Sequence, residues 1–564
     1  MFSSQKQVYD ALVIGSGASG GWVAKELTEQ GFHLLMLEAG PPRIPSRDFT
    51  EHAWMYQLKF RGFGDKKWAL ENQPVQSLCY AADEYSHQFF VNDFEHPYTF
   101  PQDKPFMWIR GRQVGGKTFC WARESYRYTD YEFKAASRDG FGDDWPFSYA
   151  DLAPYYDKVE SFIGVSGSFE HLEQMPDGKF LPPMNLSCGA VAARQIIERK
   201  FGWRLMPDRV ANLTAPHNGR PACHYCNECS RGCHTASYFN SPAVTLPAAA
   251  RTGRFTLVSD AVVSNLLMNA QGKATGVRYI DRVSKKEREA YAKVVVLAAG
   301  ALESTRILLN SRSARFPDGV GNENGVLGRY LMDHFTVEGA GGEFPAMISS
   351  HREPTGNPCG WLIPKYANTA GHKNPGFLRG YRFDGDASQE VYGHAFDIPG
   401  FGKEWRKRVR NEIPYTFSIE AQGECLPRAD NFVALDPIKK DAWGIPALHI
   451  HSSYGENEHL MARAMREDIA AVLDALKLIN VRPPREQMSV FGKNIHECGT
   501  ARMGTDPKRS VVNAFNQVHH SSNVFVTDGA CFVTQGCYEP TLTIMAISAR
   551  AADYIADQAK KGNL

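Results

Sequence analysis

The stretch YDALVIGSGASG, residues 9–20, runs from an apolar segment straight into a GxGxxG motif. The apolar segment predicts a β-strand, and the amphipathic stretch from about Ser19 to Gln30 predicts a helix behind the glycine-rich turn. Residues 33–38 predict a second strand, which completes a βαβ unit. The first prediction from the sequence is therefore an α/β fold built around this unit.

Gly15, Gly17 and Gly20 are the three glycines of the motif, and Glu38 ends the second strand 18 residues beyond the last of them. In a dinucleotide-binding unit the first glycine permits a tight turn and the second lets backbone amides approach a pyrophosphate. A carboxylate at the position of Glu38 accepts a hydrogen bond from a ribose hydroxyl. A glycine turn of an ordinary α/β protein is the alternative, and the motif alone does not separate FAD from NAD.

The overall composition excludes several classes of protein. The 63 lysines and arginines nearly cancel the 62 aspartates and glutamates, so no global field favours nucleic acid or an anionic membrane. No apolar run reaches the roughly 18 residues that a membrane-spanning helix needs. The N-terminus shows no charged segment followed by an apolar stretch, so we expect no export signal of its own.

The rest of the chain predicts further strands, a long helix and a return to the first unit. Alternating apolar segments at 255–257, 262–268, 274–280 and 293–297 predict a β meander that ends in a buried strand. Residues 345–485 are rich in aromatic side chains and predict antiparallel strands, followed by a helix over about 456–478. The strand 523–528 and a final helix over about 541–560 bring the chain back to the first unit.

Four cysteines share one short segment, CHYCNECSRGC, residues 223–233. The spacing Cys223-x2-Cys226-x2-Cys229-x3-Cys233 is typical of the thiolate ligands of an iron–sulfur cluster, because one loop can then wrap the cluster. A structural zinc site and free thiols are the alternatives.

Further segments of the chain carry a family resemblance. Together with residues 10–40, RGRQVGGKTFCWARESYR (110–127), VVVLAAGALESTRILLNS (294–311), HECGTARMG (496–504) and residues 523–555 resemble the glucose-methanol-choline (GMC) oxidoreductase family. The resemblance covers most of the chain in the right order. The cysteine-rich loop, YFNSPAVTLPAAARTG (238–253) and RMGTDP (502–507) are most similar to its branch of glucoside 3-dehydrogenases and FAD glucose dehydrogenases.

The resemblance implies an α/β (α+β) architecture in which a Rossmann-like FAD-binding domain is interleaved with an antiparallel-sheet substrate domain. We expect the FAD-binding domain at residues 1–340, with cover loops at 45–110 and a cysteine-rich iron–sulfur loop at 220–240. Residues 341–490 are then the substrate-binding domain, and residues 491–564 return to the FAD-binding domain.

The resemblance also implies where FAD lies. Its pyrophosphate is expected on Gly15 to Gly20 and its ribose on Glu38. Cys120 stands where some sugar oxidases of this family attach the flavin to a histidine, so we expect non-covalent FAD, with a cysteinyl link as the alternative. The other positions implied to contact FAD are Gly115, Gly116, Val263, Asp528, Gly529, Ala530 and Thr541.

The catalytic histidine of this family opens an HxxGT segment, which places it at His496 in this sequence. A histidine near pH 7 can take the hydroxyl proton while a hydride leaves the same carbon. The partner position, usually Asn or His in the family, is Glu539 here. A carboxylate beside His496 is expected to raise the pKa of the imidazole, which leaves the acid/base assignment open between His496 and Glu539.

The function that the resemblance implies is an FAD-dependent dehydrogenase that oxidises a secondary hydroxyl of a pyranose or glycoside, at C3, and passes electrons to a 3Fe-4S or 4Fe-4S cluster. The alternatives are an oxygen-using oxidase with a structural cysteine loop and a non-catalytic flavin-binding redox subunit. The implied partners are a small subunit and a cytochrome, in the cytoplasm or in the periplasm after export with a partner.

Four aromatic residues of the predicted substrate domain could stack on a sugar ring, although aromatic side chains more often form core. They are Trp361, Tyr366, Tyr381 and Tyr392.

Overall fold

The computed structural model describes residues 7–345, 360–374, 376–389, 395 and 398–564. In chain order, its strands are β1 Val8–Ile14, β2 Leu34–Leu37, β3 Val165–Ser166, β4 Phe180–Leu181, β5 Met206–Pro207, β6 Phe255–Val258, β7 Ala261–Met268, β8 Ala274–Asp281, β9 Glu287–Leu297, β10 Phe335–Glu343, β11 Trp361–Ile363, β12 Tyr381–Gly385, β13 Ala387–Ser388, β14 Thr416–Gly423, β15 Phe432–Lys440, β16 Pro446–His451, β17 Ile479–Arg482 and β18 Val524–Val526. Its helices are Ala18–Glu29, Pro45–Asp48, Lys66–Asn72, Asp130–Phe133, Ala135–Asp139, Tyr149–Ile163, Cys188–Phe201, Thr245–Arg251, Ala301–Asn310, Gly402–Asn411, Glu456–Leu476 and Thr541–Lys560.

One sheet carries the βαβ unit at its centre. Its strand order is β6-β2-β1-β9-β8-β7, and β18 pairs with the end of β9. The pairs β6-β2, β2-β1, β1-β9 and β9-β18 are parallel, whereas β7, β8 and the start of β9 form an antiparallel meander. The fold class predicted from the glycine motif is thus confirmed, and the chain's last strand lies beside a strand that begins more than 200 residues earlier.

The second sheet is antiparallel, with the order β17-β10-β14-β12-β11-β5, and β13 pairs with β14. Its strands alternate between two faces, as a sheet covered on one side does. In β14, Phe417, Ile419 and Ala421 point into an apolar core shared with the helices Cys188–Phe201 and Glu456–Leu476. The opposite face of the sheet carries polar side chains, which become important at the site below.

Two of the aromatic candidates belong to this core rather than to a surface that a sugar could reach. Trp361 and Tyr381 are fully buried. The Tyr366 hydroxyl bonds to Asp468 and Tyr381, so its polar end is also occupied. Tyr392 lies outside the described residues.

Strand β10, Phe335–Glu343, crosses the predicted domain boundary at residue 340, and β5 from the first half of the chain pairs in the second sheet. The domain limits themselves stay a prediction. Among the described residues, no helix combines the length and the apolar character that crossing a bilayer requires.

Candidate active site

The carboxyl ends of β1, β2, β9 and β18 meet at one edge of the parallel sheet, because parallel strands end on the same side. A cavity lies at this edge. Of the sequence-predicted residues it is lined by Gly15, Gly17, Glu38, Gly116, Val263, His496, Asp528, Gly529 and Thr541.

The glycine turn is shaped by close backbone contacts. Gly15 has φ +97°, and a Cβ there would lie 2.4 Å from the Ala298 carbonyl oxygen. A Cβ on Gly20 would lie 2.0 Å from the Gly15 carbonyl oxygen, so the helix can approach the turn only without a side chain. Gly17 is different, because a Cβ there would meet no protein atom closer than 4.0 Å. The space beside Gly17 is therefore left open toward the cavity.

Glu38 directly follows β2, and hydrogen bonds from the glycine turn fix its side chain. Its carboxylate accepts hydrogen bonds from Ser16 N (3.1 Å), Ser16 Oγ (2.6 Å) and Gly40 N (2.9 Å). Ser16 Oγ in turn accepts from Gly115 N at 2.9 Å. The predicted residues Gly15, Glu38 and Gly115 are thus joined through one serine that the sequence reasoning had not singled out.

Three of the residues predicted to contact the cofactor do not line the cavity but support residues that do. Gly20 and Gly115 support the turn, and the Ala530 amide donates to Asp528 Oδ1 at 3.0 Å. Burial raises the pKa of Asp528 to about 6, while Ser304 Oγ and Gly300 N donate to its other oxygen. These bonds hold the Asp528 loop against the end of β9.

The cavity also has a cationic wall that the sequence analysis missed, although the segment 110–127 was part of the resemblance. Arg110, Arg112 and Arg306 line the cavity with Glu303. Arg112 Nη2 donates to Glu303 at 2.8 Å, but the buried atoms Arg112 Nη1 and Arg110 Nε have no hydrogen-bond partner among the described residues. Unpaired buried donors beside a helix N-terminus and a glycine turn suit a diphosphate, so the residues present fit an FAD-sized dinucleotide.

His496 lies at the far end of the same cavity, paired with a second histidine. Its Nδ1 is 2.9 Å from Nδ1 of His334, and the two rings are nearly perpendicular at 81°. His334 Nε2 is 2.9 Å from the carbonyl oxygen of Gly536. His334 is buried and precedes β10 directly, a position that carried no recognisable signal in the sequence.

This chain of contacts sets the tautomers of both rings. Burial lowers the pKa of His334 well below its usual value, so the ring is neutral. Because a carbonyl only accepts, Nε2 of His334 carries the hydrogen and Nδ1 is left as the acceptor. Nδ1 of His496 must then donate, which leaves Nε2 of His496 with a free lone pair. The arrangement presents His496 as a base.

The backbone beside His496 is strained. Ile495 adopts φ +65°, a left-handed conformation that a β-branched residue rarely takes. The His496 amide donates to Asp333 Oδ1 at 2.9 Å, and Gln535 Nε2 donates to the His496 carbonyl at 2.7 Å. Strain that the surroundings maintain in this way is typical of functional sites.

Glu539 favours the imidazolium form of His496, as expected from the sequence, but burial outweighs this effect and the pKa of His496 is lowered overall. Glu539 Oε1 is bound by Arg382 Nη2 and by Gln422 Nε2 (3.0 Å). Burial lowers the pKa of His496 to about 4, and the charge of Arg382 lowers it further against the opposing charge of Glu539. Burial raises the pKa of Glu539, but the attraction of Arg382 and His496 together with a hydrogen bond from Glu124 outweighs it and lowers the pKa to about 2. Glu539 is therefore a fixed anion, and His496 is the member of the pair with a free lone pair that can accept a proton.

Arg382 anchors a set of acidic groups on the polar face of the second sheet. Its guanidinium contacts Asp384 (2.7 Å) and Glu124 (3.1 Å) in addition to Glu539. Burial raises the pKa of Glu420, on neighbouring β14, to about 8. Burial also raises the pKa of Glu124. Carboxyl groups of this kind accept from or donate to hydroxyl groups, so the face suits a polyol.

Tyr80 is another residue that the sequence analysis missed. Its side chain is 76% exposed, and the charges of Arg123 and Glu124 lie near its hydroxyl. Burial raises the pKa of the Cys120 thiol to about 12, so Cys120 is a protonated thiol rather than a thiolate nucleophile.

The four predicted metal cysteines are half-buried on one loop beside the cavity wall. Tyr225 and Asn227 in this loop take left-handed φ values of 55° and 59°. The Tyr225 amide donates to Cys223 Sγ at 3.3 Å, and Asn212 Nδ2 donates to Cys229 Sγ at 3.8 Å. Donors to sulfur and a wrapped loop suit thiolate ligands, so the residues fit an iron–sulfur cluster.

A single zinc ion suits the four sulfurs less well. Tetrahedral zinc with Zn–S bonds of about 2.3 Å needs sulfurs roughly 3.8 Å apart. Among the described residues, no three of these cysteines have sulfurs that all lie within 4.8 Å of one another.

Two aromatic rings connect this loop to the cavity. Phe49 packs against Gly232 of the loop, and its ring lies 5.5 Å from that of Phe119. Phe119 directly follows the cavity residues Gly116, Lys117 and Thr118. The cysteine loop is thus separated from the cavity wall by little more than two side chains.

Comparisons with known proteins agree with this geometry. The sequence profiles described as GMC oxidoreductase match residues 9–336 and 427–548. The chain is 30% identical to a 2-methyl-1,2-propanediol dehydrogenase of Mycolicibacterium austroafricanum, over 97% of this chain and 95% of that protein. It is 27% identical to the fructose dehydrogenase large subunit of Gluconobacter japonicus, over 98% of each chain.

A solved structure of a formate oxidase variant from Aspergillus oryzae shares the fold. Its TM-score is 0.64 at 15% identity, and the match covers 99% of this chain and all of that one. At this identity the likeness bears on the fold alone.

Proposed function

Because the chain belongs to the GMC oxidoreductase family, whose members bind FAD and oxidise CH–OH groups, we propose that it is a dehydrogenase for a secondary hydroxyl of a pyranose or glycoside, at C3. The observation that carries the proposal is the hydrogen-bonded pair His334–His496 at the end of the dinucleotide cavity. The similarity to a fructose dehydrogenase large subunit supports a sugar substrate, and the sequence resemblance to glucoside 3-dehydrogenases supports C3.

The residues of the chain supply binding and proton transfer. The turn at Gly15–Gly20, the N-terminus of helix Thr541–Lys560 and Glu38 would hold FAD, which supplies the hydride acceptor when bound. Nε2 of His496 takes the hydroxyl proton of the substrate, while Nδ1–H of the same ring stays bonded to His334. Glu539 compensates the resulting imidazolium electrostatically, which stabilises the charge that develops in the transition state.

The polar face of the second sheet orients the sugar in this proposal. Arg382, Asp384, Glu420 and Gln422 come from alternate positions of β12 and β14 and therefore share one face. Their donors and acceptors can bind the hydroxyl groups that are not oxidised, and Tyr80 offers an aromatic ring. Binding of several hydroxyl groups would fix which carbon approaches His496.

Electrons leave through the cysteine loop in this proposal. An iron–sulfur cluster held by Cys223, Cys226, Cys229 and Cys233 supplies a one-electron relay. The loop is half-buried, so a protein acceptor can approach it. We propose a small subunit and a cytochrome as partners, in keeping with the large-subunit name of one relative, and a location in the cytoplasm or in the periplasm after export with the partner.

A Cys226→Ser variant tests the relay. We expect substrate-driven flavin reduction at the wild-type rate in a stopped-flow experiment, with loss of electron transfer to a cytochrome or an artificial one-electron acceptor. The control is Cys188→Ser, an exposed cysteine outside the loop, which should behave as wild type. Unchanged acceptor rates in Cys226→Ser together with stoichiometric hydrogen peroxide would instead identify an oxygen-using oxidase with a structural loop.

A further inference from the structure

Away from the cavity, three metal-binding side chains converge where two loops meet. Glu51, His52 and His234 bring their ligand atoms within 4.8 Å of one another. Glu51 and His52 lie in the segment 45–110, and His234 directly follows the last cysteine of the loop. The Thr50 amide donates to the Arg231 carbonyl at 3.0 Å, so the backbones of the two segments are in contact at this point.

Two of the three distances in this group match a single tetrahedral ion, and the third lies within 4.8 Å. Glu51 Oε1 lies 3.2 Å from His234 Nδ1 and 3.5 Å from His52 Nε2. Metal–ligand bonds of about 2.0–2.1 Å at tetrahedral angles place neighbouring ligand atoms roughly 3.3 Å apart. The two imidazole rings stack at 22° with centroids 5.8 Å apart. Little rearrangement is needed for both nitrogens to share an ion with the carboxylate.

The carboxylate of Glu51 points to a ligand independently of these distances. Its side chain is only 1% exposed, whereas those of His52 and His234 are 58% and 36% exposed. Glu51 Oε1 accepts from the His234 amide at 2.6 Å, but the buried Oε2 has no hydrogen-bond partner among the described residues. Leaving a buried carboxylate oxygen unpaired costs free energy, and a bound cation offsets that cost. The partly exposed imidazoles leave an entry path from solvent.

We propose that Glu51, His52 and His234 bind a divalent transition metal of the zinc type, in a site separate from the four cysteines. Two imidazole nitrogens and one carboxylate oxygen suit Zn²⁺ and its neighbours, whereas Mg²⁺ and Ca²⁺ prefer oxygen ligands alone. Three protein ligands leave the fourth position to water. The ion connects the segment 45–110 to the end of the cysteine loop, beside the aromatic pair Phe49–Phe119.

Metal counting on the full-length FAD-loaded protein tests the site. The protein is treated with EDTA, dialysed against Zn²⁺ and then against buffer, and zinc and iron per chain are measured by mass spectrometry. We expect one bound zinc in the wild type and its loss in Glu51→Gln and His234→Ala. The matched control is His224→Ala, whose ring lies 5.2 Å from His52 but outside the group, and which should keep the zinc.

X-ray absorption at the zinc edge then identifies the ligands. A shell of nitrogen and oxygen at about 2.0–2.1 Å supports the site, whereas sulfur at about 2.3 Å would assign the zinc to the cysteines and overturn it. No zinc in the wild type, or equal zinc in Glu51→Gln with unchanged circular dichroism, would also overturn it. The iron count reports separately on the proposed cluster, so either proposal can be refuted without the other.

Discussion

At the scale of single residues, the account depends on the ionisation of His496. Burial and the charge of Arg382 hold the pKa of His496 near 4, below the ordinary value for histidine, despite the charge of Glu539. A base must be deprotonated to act, so it is fully active above this pKa and is lost as the pH falls through it. The low pKa makes His496 a weaker base but keeps it unprotonated at neutral pH.

The pH dependence of flavin reduction follows from this pKa. We expect the anaerobic rate constant with a saturating glycoside to be level around neutral pH and to fall to half near pH 4. In Glu539→Gln the half-point should shift to lower pH, because the lost negative charge no longer favours the imidazolium. A wild-type half-point at or above the ordinary histidine value of about 6.5 would contradict the assignment.

His334 acts through His496 and is a positioning residue. In His334→Leu the acceptor for Nδ1–H is lost, so His496 can place its hydrogen on either nitrogen. We expect kcat to fall about tenfold, the equivalent of one hydrogen bond of about 1.4 kcal/mol, with KM little changed. His334→Asn, whose amide oxygen can replace the ring acceptor, should recover most of the rate. Equal losses in both variants would indicate a packing role only.

At the scale of elements, substitutions in the glycine turn can separate an effect on folding stability from an effect on FAD affinity. In Gly17→Ala the new Cβ meets no protein atom closer than 4.0 Å, so the apoprotein should keep its thermal midpoint. The same methyl group blocks close approach of a pyrophosphate, and we expect FAD affinity to fall by about tenfold, or about 1.4 kcal/mol. Fluorescence titration with FAD and differential scanning calorimetry measure the two effects.

Two further variants serve as controls for Gly17→Ala. Gly20→Ala places a Cβ 2.0 Å from the Gly15 carbonyl, so it should destabilise the apoprotein itself. Gly371→Ala meets no atom within 4 Å at an exposed position and should change neither property. FAD binding by Gly17→Ala at wild-type affinity would show that the pyrophosphate does not lie on this turn.

The elements near the glycine motif could be predicted from the sequence because local patterns determine them. The turn at Gly15, the strand ending at Glu38 and the final helix from Thr541 all follow from apolar periodicity and glycine spacing. The pairing of β5 and β10 into the second sheet could not be predicted, since short strands gain their stability from distant partners.

At the site, too, local sequence motifs predicted some residues, whereas contacts between distant residues could not be predicted. His496 was reached through a family motif, whereas its partner His334 lies 162 positions away and has no motif of its own. Glu539 was identified from the sequence, but its ionisation depends on Arg382, a pairing that only the folded chain reveals. Sequence reasoning therefore identified the residues but not the direction of the pKa of His496.

At the scale of the whole molecule, both ends of the chain build one site. Residues of β1 and β2 meet Asp528, Gly529 and residues of the final helix around the cavity, and the second sheet brings Arg382 to Glu539. Segments from both ends of the chain are therefore needed to line the cavity. The cysteine loop adjoins the cavity wall through Phe49 and Phe119, as the proposed electron relay requires.

The most direct test of the account is the anaerobic absorbance spectrum of the purified protein during addition of a methyl glucoside. We expect the flavin bands to bleach and the product to be a 3-keto glycoside by NMR. In His496→Ala, which should retain FAD, bleaching should slow by about a hundredfold or more. A flavin that no pyranose or glycoside reduces, or that bleaches equally fast in His496→Ala, would contradict the account.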